Sequence, residues 1–328
     1  MPGIVCSEDS LRSTFESKSY MMIMIINCSV SIATFIAMVF AVKSLFSQSI
    51  IQSSSRLLLF FIIIFGCIHQ IGYGILKVKV IYKMIAKPSI LCETTSKCRW
   101  ISTIYIAGSS GLLYLQTAMT LDRIIATFLS CIYNKLQYFV TPITLCSVIA
   151  LSFSMESLLS LDRLPDESIN NCAFTPPSTQ ETFNSYLTSN FYLSMVHIII
   201  NILLVRKNLS QQTQNRFNMI GRYQSHETLR STQALFVLST SQCFFTGFYA
   251  GITWGLVQFQ PYMSGSTYSK ILALIYVIPY TCLLSPILII LTLKYIKKDR
   301  KTNIRMLIKN NEQETQEDHM AKMQQMWS

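Results

Sequence analysis

Charged residues are scarce in this sequence: Asp, Glu, Lys and Arg make up 13% of its 328 residues, whereas 51% of the residues are apolar. A chain with so little charge and so much apolar surface is neither intrinsically disordered nor an ordinary water-soluble globule. The scarcity leaves long uncharged runs of roughly 20 residues, the length that a helix needs to cross a bilayer. The sequence therefore predicts a membrane protein.

Several chemical signatures are also missing. The four histidines, His69, His197, His226 and His319, never stand at the short spacing of a metal-binding pair, and no phosphate-binding glycine loop or nucleophile elbow occurs. The apolar runs lack the period-two alternation of a membrane β-barrel. These absences predict a helical protein that is not an enzyme and has no catalytic residues, bound metal or cofactor.

Seven such apolar runs occur, the fourth of which carries one acid, and they predict an all-α membrane protein built as a seven-transmembrane helix bundle. The predicted spans are residues 20–42, 57–76, 101–121, 139–160, 189–205, 233–256 and 271–293. An extracellular N-terminal tail, residues 1–19, precedes the transmembrane domain of residues 20–293, and a cytoplasmic tail, residues 294–328, follows it. The N-terminal tail is charged and lacks an apolar core, so we expect the first span to act as its own insertion signal.

The distribution of Lys and Arg predicts the orientation of the bundle. With the N-terminus outside, the connection at 206–230 and the tail at 294–309 are cytosolic, and both are rich in Lys and Arg. The connection between the second and third spans does not fit this orientation, because its cations would lie outside. They are Lys77, Lys79, Lys83, Lys87, Lys97 and Arg99. The cytosolic side still holds more, so the net charge of +11 reflects topology and predicts no nucleic-acid partner.

Four of the ten cysteines are expected on the oxidising side of the membrane: Cys6, Cys92, Cys98 and Cys172. They allow three pairings. Because Cys98 directly precedes the third span and Cys172 lies in the middle of the next outer connection, we predict a Cys98–Cys172 disulfide that pins this connection to the bundle. Cys6 would then pair with Cys92.

The third span ends in an acid followed by a base, Asp122 and Arg123, after an uncharged run that begins at Ile101. A charge pair at this point marks the edge of a hydrocarbon layer. In a helix the two side chains point about 100° apart, so they can bind different neighbours. The pair is either a water-facing helix end or a switch, in which Arg123 pairs with Asp122 or with Ser231 or Thr232 at the start of the sixth span.

Five residues are candidate ligand contacts. His69 and His197 lie at mid-bilayer in the second and fifth spans, where a histidine must face the bundle interior, either as a packing residue or as a ligand contact. Glu156 is the one carboxylate inside a span, and it serves a ligand, an internal pair or headgroup water. With Trp100 and Trp254 it is expected at the rim of an outward-facing pocket between the third, fifth, sixth and seventh spans.

The seventh span and the tail carry two further expectations. Pro279 and Pro286 lie inside the span, where each frees a backbone carbonyl and permits a kink. Apolar residues alternate with cations over residues 296–309, which predicts an amphipathic helix on the inner leaflet.

Short residue patterns recur along the whole chain, each weak alone but specific in this order and spacing. They are Cys6-Ser7-Glu8, His69-Gln70 with Tyr73-Gly74-Ile75, Arg123 with Ala126-Thr127-Phe128, Arg222-Tyr223-Gln224, Glu227, Ser231-Thr232, Ser241-Gln242, Thr315-Gln316-Glu317-Asp318-His319-Met320 and Trp327. With them the chain resembles the nematode serpentine receptors of class alpha, the Sra chemoreceptors, a branch of the seven-helix G-protein-coupled receptors. Asp122-Arg123 with Ala126 also resembles the Asp/Glu-Arg-Tyr region of rhodopsin-like receptors, although Ile124 replaces the Tyr.

The resemblance implies a chemosensory receptor in the plasma membrane of a sensory neuron, which binds a small-molecule cue outside and activates a heterotrimeric G protein inside. It implies coupling roles for Asp122, Arg123, Ala126, Ser231 and Thr232. The alternative is a polytopic transporter of a small solute. Transporters usually show repeated halves and several intramembrane charges, neither of which is found here. The identity of the ligand and the oligomeric state stay open.

Overall fold

The computed structural model describes residues 8–47, 52–86, 92–158, 168–169, 172, 180–214, 219–259 and 262–327. Within them the chain forms nine helices and one two-stranded antiparallel sheet. In chain order the elements are α1 (Glu8–Phe15), α2 (Lys18–Phe46), α3 (Ser53–Ala86), β1 (Glu93–Thr94), α4 (Thr95–Phe128), α5 (Ser130–Leu158), β2 (Ser168–Ile169), α6 (Gln180–Gln214), α7 (Met219–Phe259), α8 (Gly265–Ile275) and α9 (Ile278–Trp327).

Every predicted span except the seventh lies almost entirely within one helix, α2 to α7, and α8 and α9 together form the seventh. The fold is therefore the predicted all-α membrane bundle. Large apolar side chains such as Ile32, Val39 and Phe40 are exposed along α2, as is expected of a surface that meets lipid rather than water. The helices outrun the uncharged sequence because their polar ends continue beyond the hydrocarbon layer.

Helix α4 is the centre of the bundle and its least apolar span. Six helical segments are long and apolar enough to cross a membrane by length and composition, and α4 is not among them. Yet α4 packs against α3, α5, α6 and α7, and its Ser110, Gln116 and Thr120 are buried. A helix enclosed by other helices can carry polar residues that a lipid-facing helix cannot, because their hydrogen-bond partners lie on the neighbouring helices.

Glycines bring α3 and α4 into close contact. A Cβ atom added to Gly108 of α4 would lie 2.6 Å from His69 Cα of α3, and one added to Gly72 of α3 would lie 2.9 Å from Tyr105 N of α4. One turn further along α4, a Cβ on Gly111 would overlap the ring of Phe65. Small residues at such positions allow backbones to approach closely, which is a common basis of helix association in membranes.

Several helices extend beyond the limits that were predicted for the spans. α5 begins at Ser130, nine residues before the predicted start, and α6 begins at Gln180 rather than at 189. α6 extends to Gln214 and α7 starts at Met219, so most of the connection at 206–230 is helical. Charged residues end an apolar run without ending the helix, which is why the uncharged runs underestimate helix length.

The seventh span is two helices rather than one kinked helix. α8 ends at Ile275, Tyr276 has extended backbone angles, and α9 begins at Ile278. Pro279 therefore lies in the first turn of α9, where a missing N–H breaks no helical hydrogen bond. α9 passes through Pro286 and continues to Trp327. The predicted tail segment is thus helical and continuous with the span, and its placement on the inner leaflet stays a prediction.

The close approach of α3 and α4 predicts that Gly108→Ala destabilises the protein. The added methyl group has to displace the backbone of α3 at His69, and overpacking of this kind typically costs about 1–3 kcal/mol. Thermal unfolding of the purified protein in lipid nanodiscs measures the effect as a lower Tm.

Gly74→Ala is the matched control, because a Cβ on Gly74 meets nothing within 4 Å. This variant should be as stable as the wild type or more so, since alanine favours the helix by up to about 1 kcal/mol. Equal Tm values for Gly108→Ala and Gly74→Ala would contradict the proposed packing.

Candidate functional site

Asp122 and Arg123 occupy the last turns of α4 and form a buried ion pair. We call this end of the bundle the Arg123 end, and the opposite end, which holds the Cys98–Cys172 disulfide, the disulfide end. Arg123 is 0% exposed. Its Nε donates a hydrogen bond of 3.1 Å to Asp122 Oδ2, and its Nη2 donates a shorter one to the same oxygen. The sequence left two alternatives for this pair, a water-facing helix end or a switch. Because both side chains are buried, the pair is not a water-facing helix end.

Tyr133 and Ser54 complete the ion pair. Arg123 Nη2 donates to the Tyr133 hydroxyl at 3.0 Å, and that hydroxyl donates to Asp122 Oδ1 at 2.8 Å. The Ser54 hydroxyl lies 2.5 Å from the same Tyr133 oxygen. Because the single Tyr133 proton goes to Asp122, Ser54 must be the donor in this contact. The network joins α3, α4 and α5 at one point.

The position of Tyr133 follows from a very short connection. Leu129 alone separates α4 from α5, and Tyr133 lies in the first turns of α5, directed back at the end of α4. The sequence analysis missed this residue, because it placed the fourth span at residue 139. Ile124 stands where the Asp/Glu-Arg-Tyr pattern has its aromatic residue, and a different tyrosine supplies a hydroxyl to the pair.

The burial of the ion pair determines how much this network contributes to the stability of the protein. Charges out of water interact strongly, but each also loses its hydration, so a buried pair is stable only when its remaining donors and acceptors are satisfied. Both oxygens of Asp122 accept hydrogen bonds here. Removing one partner of such a pair leaves an uncompensated buried charge and typically costs about 3–5 kcal/mol. Breaking the pair therefore requires that both charges become hydrated or find other partners.

A second polar contact links α4, α6 and α7 at the Arg123 end. Asn208 Nδ2 of α6 lies 3.2 Å from Thr127 Oγ1 of α4 and 3.5 Å from Thr232 Oγ1 of α7. Thr232 is thus bound by Asn208, whereas the sequence analysis offered it as a partner for Arg123. Ala126 and Ser231, the other predicted coupling residues, are buried in the same region.

An ion pair between Arg230 and Asp299 joins α7 to α9 at the same end. Asp299 is more exposed than Arg230, so the pair is partly screened by water and is worth less than the Asp122–Arg123 pair. The sequence analysis assigned both residues to cytosolic basic segments and gave no sign of this contact, which depends on the length of α7 and α9 beyond the membrane.

His69 is fully buried between α3 and α9. Its Nε2 lies 3.0 Å from the Tyr276 hydroxyl, and its ring stacks near those of Tyr73 and Tyr276. The neighbouring Gln70 donates to the carbonyl of Pro279 at 3.0 Å and accepts from Ser31 of α2. The break between α8 and α9 exposes Tyr276 and Pro279 to these partners. His69 therefore faces the interior, as predicted, where it is hydrogen-bonded, and its role as a ligand contact stays a prediction.

His197 lies at a different place, at the level of two buried glutamines. Hydrogen bonds from Asn201 to Thr120 and from Asn208 to Thr127 pair α6 with α4 at a constant separation of 81 residues. The same register puts His197 at the depth of Gln116 along the two helices. Cys243 of α7 lies 3.2 Å from Met195 of α6, which brings Gln242 to the same depth.

These three side chains have unused hydrogen-bonding capacity. Gln116, His197 and Gln242 are all buried. Gln116 Nε2, His197 Nδ1 and Gln242 Oε1 find no hydrogen-bond partner among the residues that the structure describes. A buried polar atom without a partner is costly, so such atoms are expected where a polar group of a ligand or a water binds. The sequence predicts no site role for either glutamine: Gln242 appears only in the Ser241-Gln242 pattern of the family resemblance, and Gln116 lies in an uncharged run.

Two of the three predicted rim residues are exposed in the structure. Trp100 is 54% exposed near the start of α4, and Trp254 is 70% exposed in the last turns of α7. Both are thus near the disulfide end, where tryptophan also anchors helices at a membrane interface. Glu156 belongs to α5, but its side chain lies outside the part of the chain that the structure describes. The rim assignment of these residues stays a prediction.

The predicted Cys98–Cys172 disulfide is present. Beside it, β1 pairs with β2, with Glu93 opposite Ile169 and Thr94 opposite Ser168. The connection between α5 and α6 is therefore held to the start of α4 by one covalent bond and a short ladder. Cys92 is also disulfide-bonded, but Cys6 lies outside the described residues, so the Cys6–Cys92 pairing stays a prediction.

Glu93 forms ion pairs with two lysines at the disulfide end. Its carboxylate lies 2.6 Å from Lys79 Nζ and 2.7 Å from Lys83 Nζ. Glu93, Cys98 and Cys172 lie close enough together to suggest metal ligands. The two sulfurs are bonded to each other, however, and a disulfide cannot supply the thiolates that a metal requires. The cluster is a structural one.

Comparison with known proteins places the whole chain in one group. A family model described as "Serpentine type 7TM GPCR chemoreceptor Sra" matches residues 1–327. Serpentine receptor class alpha-13 of Caenorhabditis elegans is 33% identical over 327 residues, which cover 98% of this chain and 97% of the relative. Serpentine receptor class alpha-11 of the same organism is 32% identical over 328 residues and 98% of each chain.

The ion pairs of Glu93 predict a pH-dependent stability at the disulfide end. Burial by itself raises the pKa of Glu93, but the hydrogen bonds and charges of Lys79 and Lys83 outweigh it, and the net pKa lies below the usual 4.5. A carboxyl group whose pKa is lowered by folding stabilises the protein above its unfolded pKa and loses this contribution as the pH falls through the folded pKa. Glu93→Gln should therefore lower Tm at neutral pH, and the difference should shrink below pH 4.5.

Glu16→Gln is the control for this measurement, because Glu16 is exposed. We expect its Tm to follow that of the wild type throughout the titration. A difference between wild type and Glu93→Gln that is independent of pH would mean that the lysines do not stabilise the ionised carboxylate.

Proposed function

The chain belongs to the Sra family of serpentine seven-transmembrane GPCR chemoreceptors, and on this premise we propose that it binds an external chemical cue and activates a heterotrimeric G protein through Asp122 and Arg123. The observation that carries the proposal is the buried Asp122–Arg123–Tyr133 network. It is a two-state element at one end of a helix whose other end holds the disulfide. Membership of a chemoreceptor family disfavours the transporter alternative.

The proposed orientation has the disulfide end outside the cell and the Arg123 end in the cytosol. Disulfides form and persist in oxidising surroundings, which supports placing Cys98 and Cys172 outside. The Lys and Arg residues of the connection at 206–230 and of the tail then lie in the cytosol. The protein is accordingly a multi-pass protein of the plasma membrane, which we assign to sensory neurons from its family.

In the proposed resting state the Arg123 end is closed. Asp122, Tyr133 and Ser54 hold Arg123 between α3, α4 and α5, while Asn208 joins α4 to α6 and α7. Opening requires α7 to separate from α4, which breaks the Asn208–Thr232 contact. Arg123, once released from Asp122, offers donors to the backbone carbonyls at the end of a G-protein helix. Ala126, Ser231 and Thr232 then line the cleft that receives this helix.

The proposed ligand site lies between the third, fifth, sixth and seventh spans. Its polar floor comprises His197 with Gln116 and Gln242, whose buried atoms have capacity for a ligand. His69 borders it through Tyr276, and Glu156, Trp100 and Trp254 are assigned to its rim. A ligand that draws these helices together at the disulfide end can shift the equilibrium at the Arg123 end, provided that it binds the open state more tightly.

Two substitutions test the coupling role. Asp122→Asn removes the charge that holds Arg123 and should raise basal G-protein activation, whereas Arg123→Ala should abolish activation without removing the receptor from the cell surface. The measurement is nucleotide exchange on the G protein at matched surface expression. Full ligand-driven activation by Arg123→Ala would reduce the pair to a structural role.

Tyr133→Phe provides a milder test of the same network. It removes one hydroxyl that serves Arg123, Asp122 and Ser54, so basal activation should rise, but less than with Asp122→Asn. Tyr138→Phe is its control, because Tyr138 lies on the same helix and is 72% exposed. If both tyrosine variants behave alike, the Tyr133 hydroxyl does not hold the resting state.

A further inference from the structure

Lys77 is a buried cation on the interior stripe of α3. His69, Tyr73 and Lys77 follow one another at intervals of four residues and therefore lie on one helix face. The Lys77 side chain is 5% exposed, and its ammonium lies 4.7 Å from the centre of the Tyr73 ring. That ring in turn stacks on Tyr276. Lys77 thus continues the buried aromatic cluster towards the disulfide end.

No carboxylate forms an ion pair with Lys77 in the part of the chain that the structure describes. The nearby Lys79 and Lys83 both form ion pairs with Glu93. The Lys77 side chain instead faces the interior of the bundle. Burying an ammonium group without a counter-ion is strongly unfavourable, and attraction to an aromatic ring recovers only part of the lost hydration. The site is therefore short of one negative charge.

Neighbouring side chains provide further hydrogen-bond donors but no negative charge. The Tyr73 hydroxyl and Asn27 Nδ2 are buried and have no hydrogen-bond partner among the described residues. Asn27 Oδ1 is already bound by the Tyr280 hydroxyl at 3.3 Å, so its amide group has donors left. Cys28, which follows Asn27, and Tyr280 lie within electrostatic range of Tyr73, and Cys28 also of Lys77. The Lys77 ammonium and two hydrogen-bond donors, the Tyr73 hydroxyl and Asn27 Nδ2, thus lie at neighbouring positions of α2 and α3.

The region is covered at the disulfide end by an apolar layer. Residues of α1, α2, α3 and α4 pack there with the Cys98–Cys172 bridge into one cluster, which includes Leu11, Phe15, Tyr20, Met24, Leu76 and Ile101. This cover keeps water from Lys77, so an anion bound below it would interact with the ammonium more strongly than at an exposed site.

We propose that Lys77, Tyr73 and Asn27 bind the carboxylate group of a small organic acid, which makes an acidic compound the cue of this receptor. A monocarboxylate supplies the one missing charge and two acceptor oxygens for the ammonium and the neutral donors, whereas a phosphate dianion would leave a charge uncompensated. The proposal rests on the proposed chemoreceptor function, since it names the class of its ligand, and it adds a carboxylate subsite on the α2 and α3 side of Tyr276, which borders the ligand site proposed above.

The test measures ligand-induced stabilisation of the full-length protein in phosphatidylcholine nanodiscs, which present no net anionic headgroup charge. The probes are acetate, hexanoate and benzoate, each compared with its primary amide at millimolar concentration. A ligand that binds the folded state raises Tm. We expect at least one carboxylate to raise Tm and to bind about 10- to 100-fold more tightly than its amide, as a lost charge-assisted hydrogen bond predicts.

Lys77→Met should remove this stabilisation, whereas Lys97→Met should keep it. Methionine preserves the volume and removes a buried unpaired charge, so the Lys77 variant is expected to fold. Lys97 is exposed and lies at the same end of the bundle, so it controls for loss of general positive charge. Lys77→Arg restores a cation and should restore part of the shift.

Three results would overturn the proposal: amides stabilise as well as carboxylates, Lys77→Met responds like the wild type, or no carboxylate raises Tm of the wild type. The measurement involves no G protein, so failure of the coupling proposal leaves it unaffected. Conversely, an unresponsive Lys77 site leaves the Asp122 and Arg123 variants to test coupling on their own.

Discussion

The burial of the Arg123 guanidinium is the constraint on which the Arg123 end of this bundle depends. A permanently charged group away from water is strongly destabilising unless its charge is paired. Asp122 supplies the charge, and Tyr133 closes the pair. Tyr133 can reach α4 because Leu129 alone connects α4 with α5. Ser54 then ties α3 to the same hydroxyl, so one buried charge organises three helices.

Helix α4 connects the two ends of the bundle. It is too polar to qualify as a lipid-facing span, and it is stable because other helices surround it. Its 34 residues include both the disulfide at Cys98 and the ion pair at Arg123, and glycines bring α3 close to it. Polar atoms without partners on its interior face, as at Gln116, are the expected mark of a helix that meets a ligand.

The hydrophobic pattern predicts the spans and the class of fold, because the length of an uncharged run is a local property of the sequence. The Cys98–Cys172 bridge is also predictable, because Cys98 directly precedes the third span and Cys172 lies in the middle of the next outer connection. Tyr133, Glu93 and the glutamines were not predictable in this way. Their roles arise from helix ends that continue past the first charge and from contacts between helices distant in sequence.

The most direct test of the account is the distance between the Arg123 ends of α4 and α7. Spin labels introduced as unnatural amino acids at Phe128 and Gln233, both exposed, report this distance by pulsed electron resonance without disturbing the native cysteines. The wild type without ligand should give one short distance, because Asn208 of α6 holds the Arg123 ends of α4 and α7 together and, in the proposed resting state, Arg123 stays paired with Asp122. Asp122→Asn should add a population at longer distance. Identical distance distributions in the two proteins would contradict the claim that the ion pair of Arg123 holds the resting state.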